Sequence, residues 1–462
     1  MNYLNRSLLG VLAVVTACGN DSPSADIQDP PPPDNVTVAV RTNVQYQTMT
    51  GWQANAQAGQ FETGYSTWRD AALDRAAADG INRLRIDLRS GAENTRDAFT
   101  EWLSGAITEQ QWRCLRYATV NDNGSATSIS TAGFKFSELD STMVRVVMPY
   151  RQRLQARGEA LGLTMTYVAF TGQIGSCGQY IHGDPNEYAE FAVAAMNHMR
   201  DRWGFVPDTW ELINEPDNTG GIWSSDRIRD ALVALNQRLT QAGYQTRIVA
   251  PSHTNAATAL SVAQNIMGSA AGPVIDEIGY HRYGGGEPST VSSLGDLAKN
   301  HGISTAMTEH IGSGYEDLIV DVTAGRASTW EQFTLAFPSA DNGGQYYAVQ
   351  GSNVITGSRT KYLRHYFRHV RRGAVRVDAE SRSSSVSSAV AFRNTNGRVT
   401  VIMKYDSPGT ITVGGLPAGQ YGIGFESETT SDGTLPDVTV GSDGVATLQL
   451  QSRGVVALYR RS

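Results

Sequence analysis

Between residues 45 and 372, short apolar runs with strand character alternate with longer stretches whose apolar positions recur every three or four residues. The first pattern fits a buried strand and the second one face of a helix. Residues 45–56, 81–88, 163–170, 209–213, 247–251, 277–283, 303–309 and 345–350 read as strands. Helices are expected over 68–78, 144–156, 225–242, 256–267, 291–299 and 362–370, with another opening at Asp184 as N-cap and Pro185 as first helical residue. Eight strands with helices between them predict an α/β fold, a (β/α)8 TIM barrel. The alternation breaks over 89–139, a polar stretch holding Trp102 and Trp112. Roughly 50 residues without strong periodicity exceed an ordinary loop and read as an insertion over the active face.

Past residue 373 the texture changes to closely spaced strand-like runs separated by Gly and Ser turns, which predicts an antiparallel β-sandwich. Residues 36–44 also alternate like a strand but have no partner before the barrel, so they are expected to join that sandwich. The resulting division is 1–17 signal, 18–35 tether, 36–44 side-domain strand, 45–372 barrel and 373–462 sandwich.

Composition adds an address and removes one class of partner. A net charge of −7 gives no electrostatic reason to expect nucleic acid. Arg6, an apolar run from Leu8 to Val15 and then Thr16-Ala17-Cys18 have the layout of an export signal. Val15-Thr16-Ala17-Cys18 resembles the lipobox of bacterial lipoproteins, which implies lipidation of Cys18 and anchoring at the cell surface or in the periplasm. The competing reading is a plain secretory signal cut nearby. Ser, Asp and the run Pro30 to Pro33 then form a tether that cannot bury a core. Cys114 and Cys177 remain; in an exported chain they could form a disulfide or stay as free thiols. Neither has zinc-site spacing. No cofactor or metal is indicated, and oligomeric state is unreadable.

The chemistry lies in two acids. Thr209-Trp210-Glu211-Leu212-Ile213 leads into Asn214-Glu215-Pro216, so Glu215 falls where a strand gives way to a loop. Glu309 ends a second such run, 94 positions later. In a barrel of about 250 residues each repeat is roughly 31, so three repeats separate them. One acid would follow strand four and the other end strand seven, facing each other across the barrel mouth. Two carboxyl groups flanking one bond are the minimum equipment of glycoside hydrolysis, one holding a proton and the other charged. Asn214 could hold a sugar hydroxyl. His281 and Tyr283 share a strand face, and the Tyr283 hydroxyl could bond the nucleophile, although either residue could equally be a satisfied rim residue. Arg85 could place a positive charge beside the nucleophile, with Arg83 and Arg89 of the same parity as alternatives. Glu211 would point into the barrel and needs an arginine partner. Trp52, Trp102, Trp112, Trp223 and Trp330 are placed at the active face, either stacking on sugar or packing loops, with Trp223 the first choice for substrate. Arg364, Arg368, Arg371 and Arg372 are taken as a solvated helix face.

At these residues the chain resembles the clan A retaining glycoside hydrolases, most of all family 30, with families 39 and 79 as near alternatives. The passage from Tyr362-Leu363-Arg364-His365 to Val375-Arg376-Val377 is similar to family 30's junction between last helix and side domain. The resemblance implies Glu215 as general acid/base, Glu309 as nucleophile, Asn214 as ligand of the sugar 2-hydroxyl, and Arg85, His281 and Tyr283 as support for nucleophile and sugar. The expected function is retaining cleavage of β-glycosidic bonds in an extracellular, xylan-like or β-glucan-like polysaccharide. The alternative is a non-catalytic glycan-binding lipoprotein on a barrel scaffold.

Overall fold

The computed structural model describes residues 31–171 and 178–461. The chain starts with β1 (Val38–Thr48), β2 (Gly51–Asn55), α1 (Tyr65–Asp79) and β3 (Arg83–Arg89). Four short helices follow: α2 (Ala98–Leu103), α3 (Glu109–Leu115), α4 (Ser137–Thr142) and α5 (Met148–Ala156). A π-helical turn at Met143–Val147 joins the last two, so this helical segment begins earlier than its periodicity predicts. The alternation then resumes with β4 (Gly162–Val168), α6 (Pro185–Trp203), β5 (Thr209–Glu211), α7 (Ser225–Gln241), β6 (Arg247–Asn255), α8 (Ala256–Met267), β7 (Glu277–Gly284), α9 (Pro288–Asn300), β8 (Ser304–Glu309), α10 (Tyr315–Thr323) and β9 (Ala327–Phe337). Strands β2 to β9 pair in chain order, all parallel, and β9 pairs with both β8 and β2, which closes the barrel.

The closing strand differs from the one expected. Gln345–Gln350 is not strand eight; it is β10, lying parallel to β9 outside the ring and followed by a short antiparallel β11 (Asn353–Thr356). Strand eight is β9. Ser328, Thr329, Glu331 and Gln332 flank Trp330 along it, so it lacks the apolar look of a buried strand, which β10 has.

Side chains on the two faces of the barrel strands differ in kind. Trp52, Trp210 and Trp330 are fully buried and point outward, into the layer between strands and helices. Their indole N–H groups donate to Val370 O, Tyr188 Oη and Asp321 Oδ2. Burying each such ring is worth roughly 4–6 kcal/mol. The inward positions are polar and form a lower and a middle layer. Below, Arg83 lies 3.6 Å from Glu277 and bonds Thr164; above that, Arg85 meets Glu211, and Gln53 meets Glu331.

After α11 (Thr360–His369) the chain enters β12 (Val375–Ser381), β13 (Val386–Arg393), β14 (Val399–Tyr405), β15 (Gly409–Gly414), β16 (Gly419–Ser427), β17 (Gly433–Val440), β18 (Ala446–Leu450) and β19 (Gly454–Arg460). With β1 they make a nine-stranded, sandwich-like sheet in the order β17-β16-β19-β14-β13-β12-β1-β15-β18. Strand β1 runs antiparallel to β12 and parallel to β15. Side chains from both halves share one apolar core, including Val40, Val401, Ile411, Leu448 and Val456. Helix α11 joins the two domains: buried Arg364 pairs with Glu426 at 2.6 Å, and His369 stacks on Tyr459 at 3.9 Å. Gly80, at φ 94°, lets α1 end against α11, since a Cβ there would lie 2.3 Å from Phe367 O.

Candidate active site

The acids sit at the C-terminal rim of the barrel, where enzymes of this architecture carry their reacting groups. Glu309 is the last residue of β8. Glu215 lies four residues beyond the end of β5, in a turn where its backbone adopts φ 50°, ψ 65°. A non-glycine residue in the left-handed region costs about 1–3 kcal/mol and persists where the surroundings over-determine it. Here the Glu215 N–H donates to Ser252 O, and its Oε2 accepts from Asn218 Nδ2 at 2.7 Å. Its Oε1 lies 3.1 Å from His281 Nδ1.

Glu309 is held by both oxygens. Tyr283 Oη donates to Oε1 at 2.8 Å, and Arg85 Nη1 donates to Oε2 at 2.8 Å. Burial and the adjacent Glu309 charge push the Tyr283 hydroxyl far above its usual range, so it stays a donor. Arg85 is fully buried and shared: it also binds Glu211 through two nitrogens, donates to Asn214 Oδ1, and approaches Glu331 to 4.0 Å. Burial opposes its charge, but Glu211, Glu331 and Glu309 more than offset that and hold it well above its ordinary value. Glu211 is held low by the same guanidinium in spite of burial. Glu331 is pushed well above the carboxylate range by burial, only partly opposed by Arg85. One guanidinium thus faces three acids, of which Glu211 is held low and Glu331 high.

An oxygen of Glu215, an oxygen of Glu309 and a nitrogen of His281 all lie within 4.8 Å of one another. Those three groups also have the donor types and spacing of a small cation site. Both Glu309 oxygens are already engaged, and the Arg85 charge opposes a cation on the Oε2 side. The donor set therefore suits proton transfer and attack better than metal binding.

The structure brings Glu215, Glu309, Asn214, Arg85, His281 and Tyr283 together, and chooses Arg85 over Arg83 and Arg89. Several other residues sit elsewhere than expected. His281, expected as support for the nucleophile and the bound sugar, meets Glu215 through Nδ1. Trp223 is 3% exposed, packs against Tyr167 and Tyr188, and donates its N–H to Tyr180 Oη, so no ring face remains for a sugar. Trp52 and Trp330 are likewise buried behind the strands. Arg364 is 3% exposed and paired, so it is not part of a solvated helix face. Cys114 is disulfide-bonded; Cys177, Cys18 and the proposed signal lie outside the described residues. Sequence reasoning passed over Glu331, Asn218 and Asp87. The period-two alternation of Arg83, Arg85, Asp87 and Arg89 was the available signal for Asp87.

A ring of eight parallel strands with a side sheet built from both ends of the chain, and two acids meeting at the strand C-termini, defines the (β/α)8 architecture seen in clan A glycoside hydrolases. Among solved structures, the chain is similar to the catalytic domain of a family 30 xylanase C from Talaromyces cellulolyticus (TM-score 0.65, 15% identity, 92% of this chain and 100% of that one). It is similar also to a family 30 subfamily 8 xylanase from Clostridium acetobutylicum (TM-score 0.63, 16% identity, 92% and 99%) and to an endo-β1,6-glucanase (TM-score 0.64, 17% identity, 92% and 94%). No family model matches the chain, and no curated protein matches it in sequence. At these identities the likeness is one of fold: the chain has a family 30-like fold.

Proposed function

We propose that this protein is a retaining O-glycoside hydrolase that cleaves β-linked extracellular polysaccharide. The observation that carries this reading is that an oxygen of Glu215 and an oxygen of Glu309 lie within 4.8 Å of each other. Inverting enzymes hold their carboxyl groups roughly 6.5–9.5 Å apart to admit water, whereas about 5–5.5 Å makes the second acid a nucleophile. Glu309, oriented by Arg85 and Tyr283, attacks the anomeric carbon while Glu215 passes its proton to the leaving oxygen. A glycosyl ester forms on Glu309. Water entering beside Glu215 then gives up a proton to it and releases the sugar with its β configuration retained. Arg85 takes the Asn214 carbonyl oxygen, so Asn214 offers its NH2 group to a sugar hydroxyl.

Support for the class of substrate comes from the solved structures of similar fold, which include xylanases and a glucanase. Anchoring at the bacterial surface through Cys18 rests on the Val15-Thr16-Ala17-Cys18 motif. Among the described residues no helix is long and apolar enough to cross a membrane.

The test is a panel of xylans, β-glucans, galactans and uronic-acid polymers, with the anomeric configuration of the first product read by NMR. A β product, and a fall of about a thousandfold or more in Glu309→Gln, are expected. An α product, or an undiminished rate in Glu309→Gln, overturns the mechanism. A wild type that binds glycan and cuts none would leave the binding-protein reading in its place.

A further inference from the structure

On the C-terminal rim that also carries the acids, the 89–139 insertion covers a cavity of about 450 Å³. Its floor is the rim of strands eight, one and two, with Phe337 from β9, Asn55 and Gln57 from the end of β2, and Asp87 and Arg89 from β3. Asp87 lies one strand layer above Arg85, the residue bonded to Glu309. Its carboxylate accepts from Asn55 Nδ2 at 3.0 Å, Gln57 Nε2 at 2.9 Å and Arg89 Nη2 at 2.6 Å. Burial opposes its ionisation, but Arg89 and Arg85 outweigh burial and hold it below its usual range, so it is charged. A fixed carboxylate still part-exposed in a cleft is an acceptor for sugar hydroxyls.

The wall above is a layered stack. Trp102 lies parallel on Trp112 at 4.1 Å, and the Arg116 guanidinium covers the far side of Trp112 at 4.2 Å. Trp112 is therefore sealed, while Trp102 is the half-buried outer leaf of the stack. Arg116 is matched to Glu138, Arg89 to Asp87 and exposed Arg113 to Glu109, which leaves Glu62 unmatched on the lining. Among the described residues the cavity presents no spare positive charge.

Position fixes which end of a substrate would enter. The leaving oxygen must lie beside Glu215, after strand four. The retained sugar and whatever precedes it then extend across the ring, toward strands eight, one and two.

Resting on the hydrolase reading, we infer that this cavity is a glycone-side subsite: a neutral pyranosyl unit lies on Trp102 with its hydroxyls on Asp87. The insertion thereby selects for chain length and against uronate or sulfate at that unit.

The test uses neutral β-oligosaccharides of increasing length with a reporter at the reducing end, on the full chain. In wild type, kcat/KM should rise when a unit is added on the non-reducing side, and a uronate at that unit should erase the gain. Trp102→Ala should reduce the gain about three- to tenfold, and Asp87→Asn should reduce it too. Binding of the same ladder to Glu309→Gln, with and without Trp102→Ala, gives a second measurement that needs no turnover and should show the same length dependence. Equal gains in wild type and Trp102→Ala, equal binding in the two Glu309→Gln chains, or a larger gain with the uronate would each overturn the subsite. A chain that cuts nothing yet shows the Trp102-dependent binding step sinks the hydrolase reading and leaves the subsite standing.

Discussion

Inside the barrel, Arg83, Arg85, Glu211, Glu277 and Glu331 are all under a tenth exposed, whereas the interior of the side domain is held by Val40, Val401, Ile411, Leu448 and Val456. The side domain follows the ordinary economy of a sheet core, in which stability scales with apolar area removed from water. The barrel does not. Burying an ion pair costs desolvation that its attraction barely repays, so charged layers are a poor way to stabilise a fold. What they do provide is orientation: Arg85 joins strand two to Glu211 and Asn214 on the strand-four side and to Glu309 on strand seven. The difference between the interiors separates a region filled for stability from one filled to hold two carboxylates in register.

Removing the shared guanidinium should break that arrangement most severely. Arg85→Met leaves Glu211 and Glu309 without their cation, and is expected to cost about 3–5 kcal/mol in denaturant unfolding while abolishing turnover. Replacing the middle layer as a whole, with Arg85→Met, Glu211→Leu and Glu331→Leu together, should recover much of that stability and none of the activity. If the triple variant is no more stable than Arg85→Met alone, the charged layer is stabilising and the contrast drawn above fails. The matching change in the other interior is Leu448→Ala. A cavity there should cost about 2–5 kcal/mol, yet kcat/KM per folded molecule should stay at the wild-type level.

The same contrast decided what could be read from the chain. Strands whose outward face is an unbroken apolar row or whose end carries an acid, such as Ile81 to Leu88 with Leu84, Ile86 and Leu88, or Ser304–Glu309, are visible as strands, and the spacing of Glu215 and Glu309 places them across the mouth. Strand eight was hidden because Ser328, Thr329, Glu331 and Gln332 leave Trp330 without an apolar row around it, while Tyr346, Tyr347 and Val349 made its outer neighbour look more like a barrel strand. Trp223 misled for a related reason. Eight positions past Glu215 is near it in sequence, but an indole whose N–H has a partner in Tyr180 and whose ring has Tyr188 beside it goes into the packing layer. Charge partnerships across strands are legible only in part: an inward Glu211 demands an arginine, but that Arg85 serves three acids at once has no local signature.

Glu331 offers a smaller and sharper test. Burial keeps it protonated in the folded chain, against an ordinary value of 4.5 when unfolded. The native state therefore holds a proton that the unfolded state releases as pH rises. Stability owed to this group is full below about pH 4.5 and declines as pH climbs toward the raised folded value. Glu331→Gln keeps the contact with Gln53 but carries no titrating proton. Relative to wild type it should gain up to about 1.4 kcal/mol per pH unit through that window, read as a widening Tm difference between pH 5 and pH 8. A constant difference would mean that Glu331 is ionised in the fold, and the barrel would then carry one more buried charge than the argument allows.

The least effect is expected where the two interiors meet. His365 and His369 on α11 face the side sheet; burial lowers both to about 3, with His369, Arg364 and Arg368 adding to it for His365 and Arg368, Arg371 and Arg461 for His369. Asp432 opposes this weakly. Each is neutral in the fold but takes up a proton near pH 6.5 when unfolded, so the unfolded state binds more protons between about pH 6.5 and 3. Stability supplied by these groups is whole above pH 6.5 and drains as pH falls, at no more than about 1.4 kcal/mol per unit for each histidine. His365→Leu removes one of the two, and its Tm should fall less than that of wild type between pH 7 and pH 5. Because the join titrates and the Val–Leu core of the side domain does not, the Leu448→Ala penalty should be the same at both pH values. A penalty that grew on acidification would show that the sandwich core depends on the histidine join, and the two interiors could no longer be treated as separate.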